Sequence, residues 1–164
     1  MRRLGILLTL LLLLLAACAP KGPVPINYGQ DVCAFCKMII ADPRYGAELV
    51  TKKGKVYKFD SVECMVAFMI YDVGPENVAR AYVTDFAHPG KLIPAEKAYY
   101  LQSVGLRSPM SLGITAFASK KDLEAFKAKY DGLELLWKDL PNVIRESGFN
   151  PENVNKFIRP RNVP

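Results

Sequence analysis

The chain has 164 residues, 22 basic against 16 acidic side chains for a formal charge of +6, a single histidine and four cysteines. With 51% hydrophobic residues it has the apolar content for one domain or two small lobes. Its positive charge lies in short pairs such as Lys52-Lys53 and Lys120-Lys121 with acidic residues nearby. That pattern is solvated surface and excludes a nucleic-acid patch.

In chain order, residues 1–17 read as a secretory leader. Arg2 and Arg3 are a short positive region, and Leu4 to Leu15 form an apolar stretch too short to span a bilayer as a helix. Leu15-Ala16-Ala17-Cys18 resembles the bacterial lipobox, which implies cleavage before Cys18 and acylation of its sulfur. At about 0.8 kcal/mol per buried CH₂, two or more acyl chains anchor stably. The expectation is a lipid-anchored protein on the periplasmic side of the cell membrane, with no further segment approaching transmembrane length. Residues 18–30, with Pro20, Gly22, Pro23, Pro25 and Gly29, read as an extended tether without a packing pattern.

Residues 46–51 and 55–59 are β-prone and flank Lys52-Lys53-Gly54, the signature of a hairpin. Asp60-Ser61-Val62-Glu63 has capping-box spacing and predicts a helix from Ser61 to about Tyr71, ahead of Gly74-Pro75. Residues 79–85 read as a strand. The second half repeats the order: strands at 97–103 and 112–118, a helix capped at Ser119, a stop at Tyr130-Asp131-Gly132, and a short strand at 133–136. The predicted fold class is α+β, two small ββαβ lobes with antiparallel sheets at about 31–90 and 91–140. Pro141, Pro151, Pro160 and Pro164 predict a short helix and a loose tail over 141–164.

The chemistry-bearing feature is Asp31-Val-Cys-Ala-Phe-Cys-Lys-Met38, two thiols and a thioether within six residues. With Cys18 lipidated, Cys33, Cys36 and Cys64 remain, an odd number that makes no disulfide framework. Sulfur at this density suits a soft ion, above all Cu(I). In an extended segment Cys36 and Met38 would project to one face. A thiol–disulfide pair at Cys33 and Cys36 is the alternative, although that chemistry expects the pair at a helix start. Structural zinc would need Cys64 and His88 to join the pair. Cys64, at helical spacing from Phe68 and Tyr71, reads as a buried thiol. His88, in Phe86-Ala-His-Pro-Gly90, reads as a surface turn residue. Met65 and Met69 read as core. Met110 stands in Arg107-Ser-Pro-Met110-Ser-Leu-Gly113, a turn before a strand, where a lone methionine is more often packing than ligand.

Cys33-x-x-Cys36-x-Met38, Phe59-Asp-Ser-Val-Glu-Cys64, Tyr82-Val-Thr-Asp85, Ala95-Glu-Lys-Ala-Tyr-Tyr100 and Ser108-Pro-Met110-x-x-Gly113-x-x-Ala-Phe117 occur here in that order. The series resembles the NosL family of copper-binding lipoproteins, nitrous oxide reductase accessory proteins, over roughly residues 28–137. The resemblance implies a Cu(I) chaperone rather than an enzyme, with two ββαβ-type lobes and a copper-accepting client enzyme or transporter complex as partner. By motif position it implies Cys36, Met38 and Met110 as ligands, with Cys33 a less secure exchange ligand. One departure is Lys37, where the family usually has glycine.

Overall fold

The structure is a computed structural model that describes residues 22–158. The leader, the proposed acylation site Cys18 and residues 159–164 lie outside the described residues.

Strands β1 (Ala47–Thr51) and β2 (Val56–Phe59) form the predicted antiparallel hairpin, with Leu49 opposite Tyr57. Gly54 takes the positive φ of 81° that the turn requires. Helix α1 (Val62–Phe68) follows at once, continues as a wider π turn over Met69–Val73 and stops at Gly74. Its N-cap is Ser61, whose hydroxyl accepts from Cys64 N at 3.2 Å. The Asp60 side chain, which opened the expected capping box, is therefore left over.

β3 (Val78–Thr84) pairs with β1 on the side away from β2, and β4 (Leu92–Pro94) closes the edge, giving the order β2-β1-β3-β4. β5 (Tyr99–Gln102), β6 (Ile114–Phe117), α2 (Lys120–Tyr130) and β7 (Leu133–Leu135) build a second antiparallel sheet in the order β6-β5-β7. Ser119 caps α2 by accepting from Asp122 N at 3.1 Å. The α+β class and the repeated ββαβ order are thus present. β4 was not foreseen. Three residues carry no readable alternation, and their pairing with Tyr82–Thr84 extends the first sheet past residue 90. Among the described residues no helix is long and apolar enough to cross a membrane.

Alternation along the second sheet joins the two halves. Tyr100, Ile114 and Ala116 face one hydrophobic core together with α1 and the first sheet. Leu101 and Phe117 face a smaller core with Tyr45, Phe86 and Leu123 under α2. The halves therefore share a core along one face of the second sheet.

Two expectations about chain ends are corrected. The tether is packed from Val24 onward: Val24 N donates to Glu48 Oε2 at 2.8 Å, Lys58 Nζ donates to Pro25 O at 2.8 Å, and Ile26 is buried. Gly46 makes room, since a Cβ there would stand 2.6 Å from the Tyr28 hydroxyl and 2.8 Å from Ile26 Cδ1. The expected short helix is present, and the described part of the tail after it, to residue 158, is not loose. Helix α3 (Leu140–Glu146) buries Leu140 and Ile144 and packs on α1. Beyond it Phe149 is fully buried, its ring 5.4 Å from Phe35 and 5.1 Å from Phe157. Proline spacing marks helix ends, Pro141 lying in the first turn of α3, and it carries no information about what the intervening aromatics touch.

Candidate metal centre

The cysteine segment is a closed turn. Cys33 N donates to Met38 O at 2.8 Å and Lys37 N to Cys33 O at 3.1 Å, while Val32 and Ile39 face each other as an antiparallel bridge. Ala34 N donates to Lys58 O at 2.9 Å and fastens the turn to β2. Lys37 sits at φ 64°, in the left-handed region. The expectation of an extended segment with Cys36 and Met38 on one face is therefore wrong in its geometry. The turn instead buries Cys33 and Cys36, leaves Met38 half-buried against the core, and points Lys37 into solvent, where its Nζ donates to Ala34 O at 2.6 Å.

Below this turn lie Asp60 and Cys64, at and within the start of α1. One ligand atom from each of Cys33, Cys36, Asp60 and Cys64 falls within 4.8 Å of all the others, and all four residues are buried. The three cysteines are free thiols, and Cys36 Sγ donates to Asp60 Oδ2 at 3.2 Å. Asp60 Oδ1 has no hydrogen-bond partner among the described residues. Cys64 is thus both a buried thiol, as its helical spacing suggested, and a member of the cluster. Asp60 is the residue that sequence reasoning missed. Its signal was there, because a Ser61 cap leaves the preceding carboxylate without a capping task.

The electrostatics follow from four acidic groups in one dry pocket. Burial opposes ionisation of Cys33, but the thiols of Cys36 and Cys64 donate to it and outweigh burial, holding it well below the ordinary thiol range. Cys36 is pushed up chiefly by the adjacent Cys33 sulfur, since its one proton is shared between Cys33 and Asp60 Oδ2 and the charge on Cys33 opposes a second thiolate beside it. Burial raises Cys64 and, with the Cys33 charge added, lifts the Asp60 carboxyl to about 7. Such a set can shed further protons only when a cation arrives to replace them. Three sulfurs suit a thiophilic ion, and the carboxylate can complete a four-coordinate shell.

Met110 is fully buried in the same hydrophobic core as the three cysteines. Its loop is tightly held. Gly113 N donates to Ser108 Oγ at 2.9 Å, and Gly113 has φ 67°, with the Ser103 carbonyl where a Cβ would stand. His88 is not part of the cluster. Its Nδ1 lies 2.7 Å from Asp85 Oδ2 at an exposed turn, while Asp85 is buried.

The NosL family profile matches residues 23–144, most of the described chain. The chain belongs to the NosL family. Among solved structures it is similar to the crystal structure of the copper chaperone NosL from Shewanella denitrificans, at 26% sequence identity and a TM-score of 0.63. That similarity covers 73% of this chain and 96% of the other. No curated protein matches the chain. The NosL match begins at residue 23, one residue before the packed part of the expected tether, which agrees with Val24–Tyr28 being part of the domain. It ends within α3, before Phe149.

Proposed function

We propose that this NosL-family protein is a copper chaperone, not an enzyme, that carries one copper as Cu(I). Cys36 is the central ligand, with the Met38 and Met110 thioethers beside it and Cys33 as exchange ligand. The observation that carries the reading is the buried Cys33–Cys36–Asp60–Cys64 cluster in a chain similar to a NosL copper chaperone. A soft d¹⁰ ion needs two or three sulfurs and tolerates a change of sulfur partner, so transfer is ligand exchange rather than catalysis. The client is a copper-accepting metalloenzyme or transporter complex, with nitrous oxide reductase the foremost candidate. An acylated Cys18 would hold the chaperone on the periplasmic side of the membrane, within reach of that client.

Reduced protein is expected to take up one Cu(I) in competition with a chromogenic chelator. Cys36→Ser combined with Met38→Leu is expected to lower the affinity by at least about a hundredfold, since both changes remove a first ligand. Unchanged uptake by that double variant would sink the ligand assignment. The thiol–disulfide alternative is less well supported, because Cys33 and Cys36 sit in a closed turn rather than at a helix start.

A further inference from the structure

Glu63 is a fully buried carboxylate on α1, one residue before Cys64. It is not needed as a cap, because Ser61 already holds the helix start. Instead it reaches the second sheet, where Ile114 N donates to Glu63 Oε1 at 3.2 Å. Ile114 is the first residue of β6 and follows the Met110 loop directly. The loop's other end is tied in by the Gly113 N–H on Ser108 Oγ, and both Ser108 and Met110 are fully buried. Glu63 Oε2 has no partner among the described residues. The Ile114 N–H, with the Ser108 and Ser61 hydroxyls nearby, does not offset the burial of a carboxylate. A residue kept for stability alone would be apolar here. α1 and β6 pack against each other at this point, so one helical turn carries both Cys64 and the fastening for the methionine loop.

The geometry points to Glu63 as a positioning residue that locks the Ser108–Ile114 loop onto α1 and so sets where the Met110 thioether stands relative to the thiols. This rests on the copper reading above, with Met110 as a ligand. Outer-shell partners of this kind typically change metal affinity 10–100-fold.

The test is a double-mutant cycle on the mature protein. Cu(I) affinity is measured by chelator competition, sulfur coordination by X-ray absorption, and folding by circular dichroism. The variants are Glu63→Leu, Glu63→Gln, Met110→Leu, and Glu63→Leu with Met110→Leu. Glu63→Leu, which keeps bulk and helix propensity, is expected to weaken binding about tenfold and remove one sulfur neighbour from the copper. Glu63→Gln, which still accepts from Ile114 N, is expected to bind as the parent does. The combined variant is expected to bind no more weakly than Met110→Leu alone. Parental binding by Glu63→Leu, or simple additivity of the two changes, overturns the positioning role and leaves Met110 a ligand. Parental binding by Met110→Leu overturns the ligand reading and this inference together. If Glu63→Leu does not fold, Glu63→Ala, which leaves room for water on the Ile114 N–H, takes its place with the same outcomes.

Discussion

Lys37 pays a conformational cost of about 1–2 kcal/mol for an L side chain in the left-handed region, at φ 64° between Cys36 and Met38. Glycine adopts that conformation freely but loses more entropy on folding. Lys37→Gly is therefore expected to stabilise the protein by about 0.5–1 kcal/mol in urea unfolding, with the cluster intact. A drop in stability would mean that the Lys37 bond to Ala34 O outweighs the backbone strain. The thiols give a second residue-level expectation. Cys36 is held above the ordinary thiol range by its bond to Cys33 and Cys64 by burial. In the unfolded chain both lose their protons near pH 9, while the folded chain keeps them, so above that pH the unfolded state binds fewer protons. Their contribution is fully present below about pH 9 and is lost as the pH rises beyond it. The urea midpoint of reduced, metal-free protein should fall on that alkaline limb, and Cys64→Ala should flatten part of the fall. An alkaline limb that Cys64→Ala leaves unchanged would contradict the raised thiol.

At the scale of elements, α1 does the most for the site. It is only seven residues long, below the length at which a helix is stable by itself, so its cap and its packing decide whether it forms. Ser61→Ala is expected to cost about 1 kcal/mol and to loosen Asp60 and Cys64 together, visible as weaker metal uptake at unchanged secondary structure. An unaffected midpoint would show that packing alone holds the helix. The elements themselves were largely legible in the sequence. The Lys52-Lys53-Gly54 turn, the Ser61 and Ser119 caps and the stop at Asp131-Gly132 are local signals, acting within four residues, and each marks an observed boundary. β4 was not legible, because an edge strand of three residues exists only through its partner β3. Nor was the cysteine turn. Alternation of Cys36 and Met38 suggested an extended run, while the bond from Cys33 N to Met38 O and the left-handed Lys37 close it instead.

At the scale of the whole molecule, the two sheets share a core, and the C-terminal segment helps to roof the cysteine turn through Phe149 on Phe35. Phe149 lies beyond the NosL match yet is fully buried. Phe149→Ala is expected to cost about 3–5 kcal/mol, the range for emptying a buried aromatic site, and to make the Cys33 and Cys36 thiols faster to alkylate. Parental stability and thiol reactivity would show the roof to be dispensable.

The sequence by itself determined the α+β class, the repeated ββαβ order and the CxM motif with its NosL resemblance, because caps, turns and alternation are written within a few residues. Only the tertiary structure decided that Asp60 and Cys64 meet Cys33 and Cys36, and that Glu63 on α1 reaches Ile114 in the second sheet. Those meetings depend on how α1 packs between the cysteine turn and β6. Such packing is set by the fit of the shared core, and no spacing along the chain encodes it.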